Sequence, residues 1–276
     1  MTSTRRTIFI TGAASGIGRE TAQLFADRGW FVGIADVDAA SLSSLAAKLG
    51  PDCSLPLDLD VTDVRSWQRA VERFGAVTHG RLDVLFNNAG IARMGLNETI
   101  DVAEQHRIVD TNLKGVLSGV TVALPLLKSM PGSRIVTMSS TSSLYGVPEL
   151  AVYSATKHAV RALTEALSLE LERYGIGVSD IVAPYVRTPL VVDAERKAYS
   201  VTTTGIRLLP EDVANVVWRA VHGHRLHWRV HPLTHVLGFV LWLAPFARRP
   251  LVRQLCLSPE HRAVKPTAVG RHETRA

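Results

Sequence analysis

Several features are scarce in this chain of 276 residues. It has only two cysteines, Cys53 and Cys256, so we expect no disulfide framework and a reducing compartment. No run of about 18 or more apolar residues occurs, which argues against a membrane-spanning helix. The first residues contain no apolar segment followed by a cleavage site. We therefore expect no signal peptide and a soluble, cytoplasmic protein.

Net charge is also nearly absent from most of the chain. The total is +6, but residues 222–276 contain nine basic and two acidic residues, whereas residues 1–221 contain 22 and 23. A nucleic-acid-binding protein is expected to carry its basic residues on its folded domain. The distribution therefore predicts no nucleic-acid partner, and it separates a core, 1–221, from a basic C-terminal extension, 222–276.

Short β-branched runs alternate with helix-length stretches along the core. The expected strands are Thr7–Thr11, Phe31–Asp36, Ser54–Asp58, Val84–Asn87, Arg134–Ser139 and Gly177–Val182. The expected helices are Ile17–Gly29, Ala39–Leu49, Val64–Thr78, Val102–Lys128, Leu150–Tyr174 and Glu211–Val221. This alternation is typical of βαβ units around a parallel sheet. We predict a single α/β domain with a Rossmann-type, doubly wound parallel sheet, followed by a last strand near Trp228–Val230 and a helical extension.

A glycine-rich turn follows the first strand, where residues 11–18 read TGAASGIG. Gly12, Gly16 and Gly18 allow a tight turn and the close approach of a pyrophosphate to the backbone. The following helix start adds unpaired N–H groups and a partial positive charge. No Gly-Lys-Ser/Thr follows, which argues against a nucleoside-triphosphate loop. The alternative interpretation is a glycine-rich helix start without a ligand.

Asp36 ends the second strand, about 20 residues after the glycine turn. A carboxylate at this place can bond the ribose hydroxyls of NAD, and it repels the 2′-phosphate of NADP. Neither Ser15 in the turn nor Val37 after the acid is basic, so nothing here would neutralise that phosphate. The pattern predicts NAD as the cofactor; the alternative is a strand-end carboxylate in solvent.

Four further segments complete a recognisable order: Asn87–Gly90 (NNAG), Asn112, Ser139-Ser140 and Tyr153–Lys157 (YSATK). Each alone has a structural explanation, such as a turn, a strand end or a contact along a helix face. Together with the glycine turn, and with Ser140 thirteen residues before Tyr153, they resemble the classical short-chain dehydrogenase/reductase family over about residues 7–221.

The residue types suit the transfer of a hydride to or from an alcohol or carbonyl carbon. Tyrosine has a pKa near 10, too high for an efficient base at neutral pH. Lys157 shares a helix face with Tyr153, so its ammonium and a positive nicotinamide would lower that pKa. Ser140 can donate to the reacting oxygen. The resemblance implies these roles, and it assigns to Asn112 a proton-relay water near Lys157.

The resemblance also implies a set of cofactor contacts. These are Gly12, Ser15, Gly16, Ile17, Gly18 and Asp36 around the turn, Asp60 and Val61 at the adenine, Asn88, Ala89 and Gly90 at its ribose, and Tyr153, Lys157, Pro184, Val186 and Thr188 around the nicotinamide. The chain departs from the family at Tyr185, where glycine usually follows the proline. We expect this side chain to narrow the substrate entrance or to change the dihedral angles of the loop.

The expected substrate side of the cleft is mostly apolar. Its candidates, besides Ser140 and Tyr153, are Met94, Leu144, Tyr145, Leu150 and Tyr185, while Arg93 and Arg187 are interpreted as surface residues. We predict NAD(H)-dependent interconversion of a hydrophobic secondary alcohol with its ketone or aldehyde, such as a steroid-, retinoid- or lipid-like molecule. One rival is a non-catalytic NAD-binding regulatory or assembly module, which the complete catalytic set disfavours. Another is an epimerase or dehydratase of nucleotide sugars, which would need more polar anchors.

The extension combines an apolar stretch, Pro232–Phe246, with arginines at 248, 249 and 253. One interpretation is an interfacial helix that makes peripheral membrane contact with anionic lipid. The other is a helix that packs on the core or on a second subunit, as terminal apolar helices usually do. The family usually forms dimers or tetramers, and the apolar stretches of the long helices allow a homodimer or homotetramer.

Five histidines fall within residues 222–235. No nearby cysteine or acid completes a metal shell in the sequence, and Pro232 is expected to break a helix between His231 and His235. We therefore expect no metal site and interpret these histidines as part of a solvated basic segment.

Overall fold

The computed structural model describes residues 5–263. Its strands are β1 (Thr7–Thr11), β2 (Phe31–Asp36), β3 (Ser54–Asp58), β4 (Val84–Asn87), β5 (Arg134–Met138), β6 (Gly177–Val182) and β7 (His227–Arg229). They form a seven-stranded parallel sheet in the order β3-β2-β1-β4-β5-β6-β7. The predicted α/β fold is confirmed. β5 ends one residue before its predicted end, and the last strand begins one residue earlier than predicted.

Twelve α-helices occur in the described residues. They are α1 (Gly16–Asp27), α2 (Ala39–Leu49), α3 (Val64–Val77), α4 (Val102–Val109), α5 (Gly115–Lys128), α6 (Ala151–Glu170), α7 (Pro189–Val192), α8 (Tyr199–Thr204), α9 (Pro210–His222), α10 (Pro232–Leu243), α11 (Arg248–Cys256) and α12 (Pro259–Ala263). The helix predicted over 102–128 contains a π-helical turn, Asp110–Lys114, and α6 ends four residues before the predicted end, ahead of a 3₁₀ turn at Glu172–Tyr174.

Helices cover both faces of the sheet, which explains why the central strands are buried along nearly their whole length. On one face, Phe25 of α1 and Val217 of α9 pack on β1 and β2. On the other face, Trp67 and Phe74 of α3 pack with Phe9 of β1 and with α5 and α6. Side-chain caps fix the starts of α2 and α3: the Asp38 carboxylate accepts from the Ser41 N–H, and the Asp63 carboxylate accepts from the Ser66 N–H.

The strand order reverses between β1 and β4, because β2 and β3 lie on one side of β1 and β4 to β7 on the other. In an open parallel sheet, the loops that leave the carboxyl ends of the strands on either side of such a point diverge and leave a crevice. Here these loops are the glycine turn after β1 and the segment 88–91 after β4. The topology therefore brings two of the predicted motifs together.

The extension folds back on the domain through α10 and α11. α10 begins at Pro232, with His231 as its cap, so His231 and His235 do not share a helix. Thr234 and Leu241 are buried on its inner face, whereas seven apolar residues of α10 and the turn after it remain exposed: Leu233, Val236, Phe239, Val240, Trp242, Leu243 and Phe246. None of the described helices combines the length and apolarity that a membrane crossing requires.

Candidate active site

A cleft of about 950 Å³ lies at the carboxyl edge of the sheet. It brings together most of the predicted site residues: Gly12, Ser15, Gly16, Ile17, Asp36, Asp60, Val61, Asn88, Ala89, Gly90, Met94, Ser140, Tyr145, Leu150, Tyr153, Lys157, Pro184, Tyr185, Val186 and Thr188. Three predicted residues, Gly18, Asn112 and Leu144, are not on its wall. Leu144 packs against the apolar cluster that contains Met94, Tyr145 and Leu150, and its role as a substrate contact stays a prediction.

The glycine turn is shaped by close backbone approach. Gly12 has a φ of 65°, and a Cβ there would lie 2.9 Å from the Cα of Ala89. A Cβ on Gly18 would overlap the carbonyl oxygen of Gly12, so Gly18 serves packing under the turn and does not face the cleft. Asn88 donates from Nδ2 to the carbonyl oxygens of Thr11 and Gly12, at 2.9 and 3.1 Å. Its side chain therefore braces the turn.

The Asp36 carboxylate is held at the end of β2, next to this turn. Its Oδ2 accepts from the N–H of Ala14 at 2.9 Å, and its Oδ1 accepts from the N–H of Val37 at 2.8 Å. The carboxylate still lines the cleft. A dinucleotide suits this end of the cleft, because the glycines leave room at the start of α1 and an acid stands where a ribose would lie.

Ser140, Tyr153 and Lys157 meet between the ends of β5 and α6. Ser140 directly follows the buried end of β5, and its Oγ caps the next turn by accepting from Ser142 N–H at 3.1 Å. Its hydroxyl also lies near enough to the Tyr153 phenol to lower the pKa of that group. One helical turn later, the buried Lys157 donates from Nζ to the carbonyl oxygen of Met138 at 2.7 Å, with Nζ 5.5 Å from the Tyr153 ring centre.

Burial shifts the pKa of both titratable groups of this set. It raises the pKa of Tyr153 to about 12, and the nearby Ser140 hydroxyl opposes the rise. It lowers the pKa of Lys157 to about 8, and the negative charge of Asp180 opposes the fall. At neutral pH the phenol is therefore protonated and the lysine mostly charged. A second positive charge in the cleft would help Tyr153 to act as a base.

Asn112 lies behind the cleft in the π-helical turn, a local geometry that is frequent at functional sites. It is fully buried. Its Nδ2 donates to the Ile91 carbonyl oxygen at 2.8 Å, and its Oδ1 accepts from the Ile91 N–H at 2.8 Å. The side chain thus holds the loop after β4, and the relay water that the resemblance assigns to Asn112 stays a prediction.

Tyr185 has a definite place in the loop after β6. Its hydroxyl forms a hydrogen bond of 2.7 Å with Ser200 Oγ of α8, and burial raises its pKa to about 12. Its φ is not positive, so this position does not need the glycine that is usual in the family. Tyr185 therefore lines the cleft and ties α8 to it.

Besides the contact between Tyr185 and Ser200, Glu149 makes a second set of contacts that hold α8 on the substrate side. No sequence pattern predicts them. The buried Glu149, with a φ of 65°, accepts from Arg196 Nη2 at 3.0 Å and from the Tyr199 N–H at 2.6 Å. It joins the loop before Tyr153 to the segment between α7 and α8. A glutamate in a loop gives no sequence signal for this role, because its partners lie about 50 residues away in the chain.

Residues of the C-terminal extension line the substrate side of the cleft, a role that was not predicted from the sequence. Among them are Leu237 and Val240 of α10 and Leu251 and Leu255 of α11. The hydroxyl of Thr203 in α8 donates to the Leu255 carbonyl oxygen at 2.7 Å. The apolar sequence of α10 signals burial or docking, but only the folded chain shows that it encloses the substrate side of the cleft.

The histidines of residues 222–235 do not all lie in solvent. Among residues 5–263, no three His, Cys, Asp or Glu side chains group as a metal site would require. The prediction of a solvated segment is wrong for His227, whose side chain is only 17% exposed and contacts Asp180 and Glu165.

Comparison with known proteins assigns the chain to a family. A family model described as short chain dehydrogenase matches residues 6–198. A trans-4-hydroxycyclohexanecarboxylate dehydrogenase from Sinomonas cyclohexanicum is 38% identical over 199 residues, covering 68% of this chain and 74% of that protein. A 3-alpha-(or 20-beta)-hydroxysteroid dehydrogenase from Mycobacterium bovis is 34% identical over 209 residues, covering 75% and 79%.

A solved structure agrees with this assignment. The short chain dehydrogenase/reductase from Burkholderia phymatum, in complex with NAD, matches with a TM-score of 0.79 and 25% identity, covering 89% of this chain and 96% of that one. The chain therefore belongs to the classical short-chain dehydrogenase/reductase family, and it is an oxidoreductase that acts on CH–OH groups with a nicotinamide dinucleotide.

Proposed function

We propose that the protein interconverts an apolar secondary alcohol and its carbonyl compound with NAD(H), using Tyr153 as acid and base. The observation that carries this proposal is the meeting of Ser140, Tyr153 and the buried Lys157 ammonium in one cleft with the glycine turn. A non-catalytic NAD-binding module would not need a buried lysine beside a tyrosine, because each buried ionisable group is costly to keep.

Each residue of the set has a chemical role in this proposal. NAD+, when bound, would supply the hydride acceptor in the oxidation direction. Tyr153 takes the hydroxyl proton of the substrate as the hydride leaves, and it returns a proton to the carbonyl oxygen in the reduction direction. Ser140 donates to the reacting oxygen, and Lys157 stabilises the phenolate. Lys157 also holds the nicotinamide ribose, and Asn112 supports the water through which the proton is exchanged.

We propose NAD as the preferred cofactor because of Asp36. Its carboxylate lies at the ribose end of the cleft and is fixed by the N–H groups of Ala14 and Val37. A 2′-phosphate beside it would suffer repulsion in a partly desolvated site. The test is a fluorescence titration with NADH and NADPH. Tighter binding of NADH is expected, and equal or tighter binding of NADPH would contradict the assignment.

The substrate side favours an apolar molecule. Met94, Leu150 and Val191 line it together with Leu237, Val240 and Leu255 of the extension. The similar proteins include a dehydrogenase of trans-4-hydroxycyclohexanecarboxylate, whose ring also carries a carboxylate, and one of hydroxysteroids, which supports an alcohol on an alicyclic ring. NAD+-coupled turnover should be measured over alicyclic alcohols, steroids and small charged hydroxy acids. Faster turnover of the hydroxy acids would overturn the proposed substrate class.

We further propose peripheral membrane contact through the exposed face of α10 and the turn after it. Trp242 and Phe246 are 75% and 84% exposed, and residues 230–257 contain three arginines and no acid. An exposed apolar face beside arginines suits the interface of an anionic bilayer. Val236 and Val240 belong both to this face and to the cleft wall, so a membrane-dissolved substrate would meet the entrance directly.

Vesicle flotation tests the membrane proposal. The full chain should float with vesicles that contain phosphatidylglycerol and less with phosphatidylcholine alone. Trp242→Ser and Phe246→Ser should weaken flotation, whereas Leu169→Ser, on an equally exposed apolar residue of α6, should not. Failure of the full chain to float would exclude lipid as the occupant. Light scattering then tests whether this face instead joins the predicted homodimer or homotetramer, since the same two variants would lower the mass.

A further inference from the structure

A stripe of polar side chains continues along α6 away from the cleft. Tyr153, Lys157, Arg161 and Glu165 follow one another at intervals of four residues, which places them along one face of the helix. Only the first two belong to the predicted catalytic set. The helix packs on β6, so the stripe has a partner surface in the sheet.

Asp180 of β6 lies under this stripe and is completely buried. Its Oδ1 accepts a hydrogen bond from Nδ1 of His227 at 2.9 Å. Its Oδ2 is buried and has no hydrogen-bond partner. A half-satisfied carboxylate inside a domain is unfavourable unless a nearby positive charge compensates it.

His227 links this buried acid to the protein surface. Its Nε2 lies 3.2 Å from Oε1 of Glu165, and the same oxygen accepts from Arg161 Nε at 3.0 Å. Both ring nitrogens therefore face a carboxylate oxygen. The arrangement fixes the Asp180 carboxylate in one orientation.

A buried ammonium lies close by in the fold: Lys157 Nζ bonds the carbonyl oxygen of Met138 in β5, and Met138 pairs with Ile181, the residue next to Asp180 in β6. Burial lowers the pKa of this lysine to about 8, and the charge of Asp180 acts in the opposite direction. The other titratable or charged groups on the surrounding elements are Tyr153, His158, Arg161, Glu165 and Glu170 of α6, His227 and Arg229 of β7, Arg134 of β5 and Tyr185 after β6. Glu165 is negative too, but its side chain is 48% exposed and is therefore screened by solvent.

We propose that Asp180 is a positioning residue of the active site: fixed by His227, its buried carboxylate keeps the Lys157 ammonium charged and so supports Tyr153 as the base. Its effect on turnover rests on the proposed function, whereas its effect on Lys157 does not. The opposing effects of burial and of Asp180 leave the lysine charged at neutral pH although it is buried.

The direct test is a pH titration of Lys157 by NMR in the cofactor-free protein, with lysine labelled by ¹³C at Cε and the Lys157 signal assigned with Lys157→Arg. In Asp180→Asn, the midpoint should fall by about one pH unit. In the matched control Glu170→Gln, an exposed acid of the same helix, it should not move. Equal midpoints in Asp180→Asn and the unmodified protein would overturn the proposal. If Asp180→Asn does not fold, Asp180→Ser removes the same charge and is judged in the same way.

The second test separates an electrostatic role from a structural one. At saturating NAD+, kcat/KM for alcohol oxidation is measured from about pH 6 to about pH 10. The ratio of Asp180→Asn to the unmodified protein should be near one at the acid end. It should fall about tenfold towards the alkaline end, where the variant loses the ammonium earlier. A ratio that is low but constant would show a packing defect only and would contradict the proposal. If the unmodified protein oxidises no alcohol, the proposed function fails, and the NMR titration still decides the role of Asp180.

Discussion

The two halves of the cleft are built in different ways. The cofactor half comprises the glycine turn, Asp36, residues 60–61 and residues 88–90, and it comes from the ends of sheet strands. The substrate half comprises residues 189–205 and 231–255 together with Met94 and Leu150, and most of it comes from short helices and the extension. Backbone groups in close contact shape the first, as at Gly12 and Gly18. Apolar side chains shape the second.

This difference indicates where the protein tolerates change. In the cofactor half, an added methyl group meets backbone atoms that cannot move without shifting a strand. The helices of the substrate half are tied by a few polar contacts, from Glu149 to Tyr199, from Tyr185 to Ser200 and from Thr203 to Leu255. We expect changes in the first half to affect all substrates equally, and changes in the second to alter their ranking.

The largest expected effect is on turnover, and it comes from a substitution of Tyr153, where the cofactor half and the substrate half of the cleft meet. Tyr153→Phe removes the acid and base but keeps the ring, so kcat for alcohol oxidation should fall by about 10³-fold. NADH affinity, measured by fluorescence, should stay close to that of the unmodified protein. Tyr174→Phe, at the far end of the same helical segment, is the control and should keep its activity. Retention of turnover by Tyr153→Phe would remove the proposed mechanism.

The next largest effect tests the rigidity of the cofactor half. Gly18→Ala places a methyl group against the Gly12 carbonyl oxygen and should cost about 1–3 kcal/mol of unfolding free energy. The matched control is Gly75→Ala in α3, whose Cβ would lie at an ordinary 3.4 Å from Leu126. The control should be as stable as the unmodified protein or more stable, because alanine favours a helix. Thermal unfolding measures both, and equal melting temperatures would show that the turn can relax.

A smaller effect is expected from the cofactor anchor. Asp36→Ala should weaken NADH binding about tenfold, since a charged hydrogen-bond acceptor for the ribose is lost, and NADPH should then bind as well as NADH. Asp58→Ala removes an exposed acid from the end of the neighbouring strand and should change neither affinity. Fluorescence titration with NADH and NADPH measures both affinities in each variant. If Asp36→Ala still prefers NADH to the same degree, a residue other than Asp36 sets the selectivity.

The smallest effect should appear on the substrate side. Glu149→Gln removes the charge that holds Arg196 and Tyr199, so α8 should loosen and KM for bulky apolar alcohols should rise about threefold, equivalent to the loss of one modest hydrogen bond. The KM for NAD+ should not change. Glu195→Gln, which affects only an exposed pair with Arg93, is the control. Equal changes in KM for all substrates would contradict the division between the halves.

The strands and the cofactor half were the most predictable parts. β1 to β4 and β6 begin and end at the predicted residues, because apolar β-branched runs bounded by polar or glycine residues give a local signal. Gly12, Gly16 and Asp36 likewise occupy positions set by their distance from a strand end. By contrast, the substrate side was less predictable: Leu144 packs beside the cleft and not on its wall, since an apolar residue in a loop gives no sign of which side it faces.

The sequence by itself determined the parallel α/β sheet, the glycine turn, the Tyr153 and Lys157 pair on one helix face, and the apolar character of the extension. These follow from local periodicity and from spacing along the chain. Only the tertiary structure decided that α10 and α11 wall the cleft, that Glu149 clamps α8, and that Asp180 lies buried between His227 and the Lys157 stripe. Each of these contacts joins residues that are far apart in the sequence. They meet because whole helices and strands pack together, and no local sequence pattern encodes that packing.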